Sequence, residues 1–161
     1  MVVVKPRKGR VCRIRKAVLD DLDVIVKLHE LIYLDYLWFK WHTHECIEPC
    51  IEENRCFVAE TGEEISGSII LRIYANVIWI ETLVVRQTMQ KLGVGRELLR
   101  FAEKYCQLRS KLKLMVGSFC EYGVDGFYRK CGFTMLEEIG MYEDLPYYQF
   151  EKKINLKGIK K

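Results

Sequence analysis

Prolines are scarce in this chain. Pro6, Pro49 and Pro146 are all there are among 161 residues, and no block rich in proline, glycine or serine interrupts the sequence. That excludes a flexible linker or a low-complexity segment, and with no internal repeat either, a single domain over residues 1–161 is expected, its core about 11–154. Long apolar runs are missing too: nothing approaches the roughly 20 residues that cross a bilayer, and residues 1–4 are too short for a signal-peptide core. A soluble, cytoplasmic protein with no membrane partner is expected. Charge of one sign is also in short supply, with 26 Lys and Arg against 22 Asp and Glu and a net charge of only +4. So mild a bias does not call for nucleic acid. Lys5, Arg7, Lys8 and Arg10 near the start and Lys157, Lys160 and Lys161 at the end read as solvated tails rather than a binding patch. Histidine is rare, with three in all, and no Cys-x-x-Cys occurs. His42, His44, Cys46 and Cys50 crowd one segment, but their spacing fits no familiar zinc pattern, so no metal is expected. Seven cysteines, an odd number, read as reduced thiols that serve as small buried hydrophobes.

What the chain has is ample core-forming material: half of its residues are hydrophobic. Residues 11–15 alternate apolar and basic like a half-buried strand, and Asp20 stands where the N-cap of a first helix is expected. Leu22, Ile25, Val26, Ile32, Tyr33 and Tyr36 recur at helical spacing, and a less regular, aromatic and acidic segment follows over 37–51. Residues 56–60 and 65–73 read as an antiparallel hairpin turning at Thr61-Gly62-Glu63-Glu64. Residues 77–85 are β-branched and nearly free of polar positions, as in a central strand, the fourth of the chain. A helical stripe over 96–108, a strand over 112–116, a short helix over 124–130 and strands over 135–142 and 147–154 complete an α/β pattern.

Between the fourth strand and the helical stripe lies Gln90-Lys91-Leu92-Gly93-Val94-Gly95. The unpaired amides at a helix N-terminus, together with the positive end of its dipole, suit a pyrophosphate, and Gly93 and Gly95 let the phosphates come close. Gln90 and Arg96 can add side-chain donors at the edges of the loop. A P-loop would need Lys-Ser/Thr where this chain has Arg96-Glu97, and a dinucleotide fingerprint would need a third glycine. Two glycines in a purely structural strand-to-helix turn remain an open alternative at this point.

Gln90, Gly93 and Gly95 directly after the fourth strand match the Gln/Arg-x-x-Gly-x-Gly/Ala signature, and Phe127-Tyr128-Arg129-Lys130-Cys131-Gly132-Phe133 matches a second block, Phe-Tyr-x-Lys-x-Gly-Phe. In these two linked motifs the chain resembles the GNAT N-acetyltransferase superfamily, strongly over residues 77–133 and moderately over 56–71. The resemblance implies an α/β (α+β) fold with a mixed, mostly antiparallel central sheet of about six to seven strands flanked by helices, its fourth and fifth strands splayed. It implies acetyl-CoA as the acyl donor, with Leu83, Val84 and Val85 facing the acyl and pantetheine groups along the strand edge. Gln90, Lys91, Leu92, Gly93, Val94, Gly95 and Arg96 would hold the pyrophosphate. Glu81 takes the place of a carboxylate that removes a proton from the substrate ammonium through water, and a backbone N–H near Leu83 or Val84 would meet the oxyanion. Tyr128 matches a tyrosine whose hydroxyl donates to the CoA sulfur, its ordinary pKa of about 10 lying above a thiol's. Where many members carry an asparagine, this chain has Glu121.

The acceptor implied is a primary amine, on a small molecule or on a protein N-terminus or lysine, attacked directly with both substrates bound; a homodimer is compatible with this. Trp38, Trp41 and His42 could wall the acceptor side and Glu45, Glu48, Glu52 and Glu53 could attract a cationic amine, against the blander reading of a solvated acidic helix face. Cys120 and Cys131 lie near the second motif, but neither has a histidine close in sequence, which disfavours an acyl-enzyme. The alternatives are a non-catalytic acyl-CoA-binding or regulatory module, which intact Glu81 and Tyr128 disfavour, and a nucleotide-binding protein.

Overall fold

The computed structural model describes residues 2–4 and 12–157. Val11 and the basic residues Lys5, Arg7, Lys8, Arg10, Lys160 and Lys161 fall outside that range. Nine strands and four α-helices are found among the described residues. In chain order they are β1 (Val2–Val4), β2 (Cys12–Lys16), α1 (Leu22–Leu28), α2 (His44–Glu52), β3 (Cys56–Thr61), β4 (Glu64–Ile73), β5 (Val77–Val85), α3 (Val94–Leu108), β6 (Lys113–Phe119), α4 (Asp125–Lys130), β7 (Thr134–Met135), β8 (Gly140–Tyr142) and β9 (Leu145–Lys153). The pattern is mixed α/β and mostly antiparallel, with one parallel pair, β5 and β6. No helix among the described residues is long and apolar enough to cross a membrane.

Contacts divide the chain into two compact units. The first holds residues up to Leu71 together with Thr82–Phe101. Its strands β1, β2, β3 and β4 pair in that order, each antiparallel to the next. A two-residue loop, Gly62 and Glu63, joins β3 to β4, and Gly62 takes the positive φ (+67°) such tight turns require. Ile25 and Leu28 of α1 and Ile47, Cys50 and Ile51 of α2 are buried in one cluster with Cys56, Val58, Ile65, Ile70 and Val84. Each such side chain contributes about 1.5–3 kcal/mol by leaving water. Elsewhere in this unit Phe57 of β3 meets Phe101 of α3, ring centroids 4.7 Å apart.

Two local expectations fail here for tertiary reasons. Asp20 is exposed and caps nothing; instead Asp21, on a 3-10 turn over Leu19–Asp21, accepts from the backbone N–H of Val18 at 2.8 Å and from both Nη atoms of Arg15 at 2.8 and 3.0 Å. The first helix stops at Leu28 rather than continuing to Tyr36, giving way to a 3-10 turn over His29–Ile32. His29 is fully buried there, its Nδ1 donating to the Trp41 carbonyl at 2.6 Å and its Nε2 accepting from the Ser68 hydroxyl at 3.1 Å. Of the aromatic segment 37–51 only the part from His44 is helical, capped by the Thr43 hydroxyl, which accepts from Cys46 N–H at 3.3 Å.

The second unit holds Arg72–Glu81 and the chain from Ala102 onward. There β5 pairs parallel with β6, β6 pairs antiparallel with β9, and β7 and β8 both pair with β9. Ile78, Ile80, Leu114, Val116 and Phe150 are its buried centre. The expected strand 135–142 is two short strands, β7 and β8, separated by residues 136–139, and β8 turns through Glu143 (φ +49°) back onto β9 in a tight hairpin. Gly140 sits opposite Tyr147 in that hairpin, where a Cβ would overlap the tyrosine ring.

Candidate active site

β5 carries the site's backbone. Its burial alternates strictly, so Ile78, Ile80, Thr82 and Val84 point into the interior while Trp79, Glu81, Leu83 and Val85 are half exposed. The strand is therefore two-faced, not wholly buried as its composition suggested. Its parallel ladder with β6 runs from Val77↔Lys113 to Ile80↔Val116 and ends there, although both strands continue. Glu81 is the first residue past the end of the ladder.

In the first unit, Arg86 closes β5 and fixes the start of the turn. Its backbone N–H bonds the Ser66 carbonyl at 2.8 Å, and its guanidinium bonds the Ile65 carbonyl from Nε at 3.1 Å and Nη2 at 2.8 Å. A 3-10 turn over Gln87–Met89 follows. Lys91 and Gly93 then take positive φ values of +62° and +94°, which reverse the chain into α3 at Val94, two residues before the expected start. The first intrahelical bond is that of Glu97 N–H to the Gly93 carbonyl at 3.0 Å. The amides of Val94, Gly95 and Arg96 precede it and belong to the first turn, whose N–H groups have no partner within the helix. Those amides and the dipole behind them fit a pyrophosphate. Gln90 is exposed, and its side-chain amide donates to the Val85 carbonyl at 3.1 Å, so in the free chain it ties the turn to the strand end. Gly67 of β4 makes the tight packing beneath possible: a Cβ there would lie 2.9 Å from the Val84 carbonyl oxygen, 3.1 Å from Leu98 and 3.3 Å from Val94.

Glu81 and Tyr128 belong to the second unit. The Glu81 side chain is 11% exposed, and its Oε1 accepts from Nε of Arg72, a β4 residue whose side chain is 44% exposed. Tyr128, on α4, is enclosed by Phe127, Phe133 and Phe150 with ring centroids at 5.1, 5.8 and 5.2 Å. Burial pushes its phenol far above the ordinary range, with Cys131 and Tyr122 adding to the rise. A phenol so shifted keeps its proton throughout the physiological range. It is suited to donating a hydrogen bond to a thiolate, and full transfer of the proton to a group as weakly basic as a thiolate would run uphill. Glu121 is exposed on a 3-10 turn over Cys120–Tyr122.

The acceptor-side expectations divide. Glu45, Glu48, Glu52 and Glu53 are all exposed, and Glu53 is bonded by Arg55 at 2.6 Å. His42 stacks on Phe39 at 5.7 Å and meets Tyr33 edge-on at 4.7 Å, and its Nδ1 is buried without a hydrogen-bond partner. His44 pairs with Asp23 at 2.6 Å. Among the described residues no group of three or more His, Cys, Asp or Glu side chains is arranged to hold a metal.

Three positions were missed from the sequence. Gly67 had a signal, since a glycine inside an apolar strand marks a close backbone approach. Arg72 and Arg86 had none, because their partners Glu81 and Ile65 are brought to them only by the sheet.

The first unit thus holds a glycine turn that delivers helix amides at the end of a half-exposed strand, and the second a parallel pair whose ladder stops before its strands do. Residues 22–133 match the model of the Acetyltransferase (GNAT) family, and the chain belongs to that family. It is 32% identical over 119 residues to an N-alpha-acetyltransferase of Sulfurisphaera tokodaii, covering 65% of this chain and 68% of the relative. Among solved structures it is similar to Ard1 from Thermoplasma volcanium, with a TM-score of 0.75 at 16% identity over 89% of this chain and 98% of that one. It is also similar to the PaiA N-acetyltransferase of Thermoplasma acidophilum in complex with coenzyme A, with a TM-score of 0.72 at 21% identity over 88% and 98%.

Proposed function

We propose that this chain is an acetyl-CoA-dependent N-acetyltransferase, a single domain that acetylates a primary amine by direct attack with both substrates bound. The observation that carries the reading is the turn over residues 90–96, where Lys91 and Gly93 at positive φ bring the first-turn amides of α3 beside the end of β5. Acetyl-CoA supplies the acetyl group as a thioester. Gln90, Lys91, Leu92, Gly93, Val94, Gly95 and Arg96 hold the pyrophosphate, chiefly by main chain, and Leu83, Val84 and Val85 offer backbone to the pantetheine arm. Glu81 takes the proton that makes the acceptor amine nucleophilic. A backbone N–H of Leu83 or Val84 faces the oxygen that gains negative charge, and Tyr128 donates a hydrogen bond toward the departing sulfur. The similarity to an N-alpha-acetyltransferase makes an α-amino group the first acceptor to try, ahead of a lysine side chain or a small amine. A cytoplasmic setting, in which the seven cysteines stay reduced, belongs to the same reading.

Thiol release from acetyl-CoA, measured over peptides with a free α-amino group, lysine and polyamines, tests the proposal. Release is expected with at least one of them. Glu81→Gln should lower kcat by about 10²-fold at neutral pH and recover part of it at high pH, where the amine deprotonates unaided. An unchanged rate and pH profile would remove Glu81 from the mechanism. Tight CoA binding with no release from any acceptor would leave an acyl-CoA-binding module in place of an enzyme.

A further inference from the structure

Glu81 does not stand alone. Arg72 reaches it from β4, and the two side chains differ in exposure in an informative way: the carboxylate is mostly withdrawn, at 11%, while the arginine is 44% exposed. The cation is thus the solvent-side member. A glutamate with three side-chain torsions needs a partner to stay aimed. On the β6 side the strand runs on from Val116 to Gly117, which pairs with Gln149 of β9, and neither carries a charge. The guanidinium donates from Nε to Oε1, a charge-assisted hydrogen bond. That holds the carboxylate's orientation.

We infer that Arg72 is a positioning residue for the transfer reaction: it fixes the rotamer of Glu81, so that the carboxylate is aimed at the incoming amine. The inference rests on Glu81 being the base, and its test separates the two.

The acceptor that turns over best in the amine panel is used with wild type, Arg72→Gln, Arg72→Lys, Glu81→Gln and the Arg72→Gln/Glu81→Gln double variant. Glutamate-labelled NMR follows the Glu81 carboxylate in parallel. Arg72→Gln is expected to lower kcat about tenfold, with KM for acetyl-CoA unchanged, through loss of aim. Its Glu81 carboxylate resonance should move or broaden at constant pH, as the side chain loses its fixed rotamer. Arg72→Lys should restore most of the rate, and Arg72→Gln should cost nothing further in the Glu81→Gln background. An unmoved Glu81 resonance, or a moved one with unchanged kcat, overturns the role of Arg72 while leaving Glu81 as base. A Glu81→Gln variant with wild-type kcat, or no turnover of any acceptor, overturns both.

Discussion

His29 and Tyr128 show how burial acts on single titratable groups in this protein. Each keeps its neutral form, but only Tyr128 is proposed to act on a ligand. Burial pushes the His29 pKa down to about 4, opposed only by the hydrogen bond to the Trp41 carbonyl, because a charged imidazole would be stranded in the core. The folded value lies below the ordinary one of about 6.5, so the unfolded chain binds the extra proton first as pH falls. The stability His29 confers is therefore complete above about pH 6.5 and is lost progressively down to about pH 4, a loss of about 3 kcal/mol. Urea denaturation across that range should show this slope in the wild type and a flatter one in His29→Gln, which has no ring to charge. Equal slopes would mean that His29 is not what makes the fold acid-sensitive. The tyrosine shift runs upward, so Tyr128 remains a donor at every pH at which the enzyme would work.

At the scale of elements, the site depends on how closely β4, β5 and the start of α3 approach at Gly67. An alanine methyl there would press on a backbone oxygen, that of Val84 at 2.9 Å, and backbone cannot rotate away as a side chain can. Gly67→Ala should cost about 1–3 kcal/mol, as overpacking does. It should also weaken CoA binding several-fold, because Val84 and Val94 flank the turn. Gly126→Ala in α4, where a Cβ meets nothing within 4 Å, is the control and should leave both unchanged or add slight stability. Melting temperatures and CoA titrations of the two variants decide it. Elements with a strong local period were legible in the sequence: β5 was read at its observed ends, α3 within two residues, and the β3–β4 hairpin at its turn. The failures share one cause, distant partners. The first helix ends where Trp41 and Ser68 grip His29, and the C-terminal strand splits where Tyr147 packs over Gly140. For the proposed site, the motif residues stand out by spacing alone. Arg72 and Arg86 could not, since cross-strand pairs leave no trace in a single chain's periodicity.

For the molecule as a whole, the mild net charge and the main-chain character of the turn predict how a ligand should act on stability. Anything that binds the folded chain and not the unfolded one raises the free energy of unfolding by mass action, about 2.7 kcal/mol at a hundredfold excess over Kd. For a chain of this length that corresponds to a rise in Tm of roughly 5–10 °C. CoA should produce it. ATP and NAD should give little or none, because the turn over residues 90–96 lacks the Lys-Ser/Thr of a P-loop and the third glycine of a dinucleotide site. Adenosine 3′,5′-bisphosphate, which has neither the pyrophosphate nor the pantetheine, should give clearly less than CoA, since Leu83, Val84 and Val85 would have nothing to bond. Protection by CoA and by the bisphosphate to the same extent would remove the β5 edge and the turn amides from the binding account. Protection by ATP alone would make the glycine turn a nucleotide site and would overturn the acyltransfer reading.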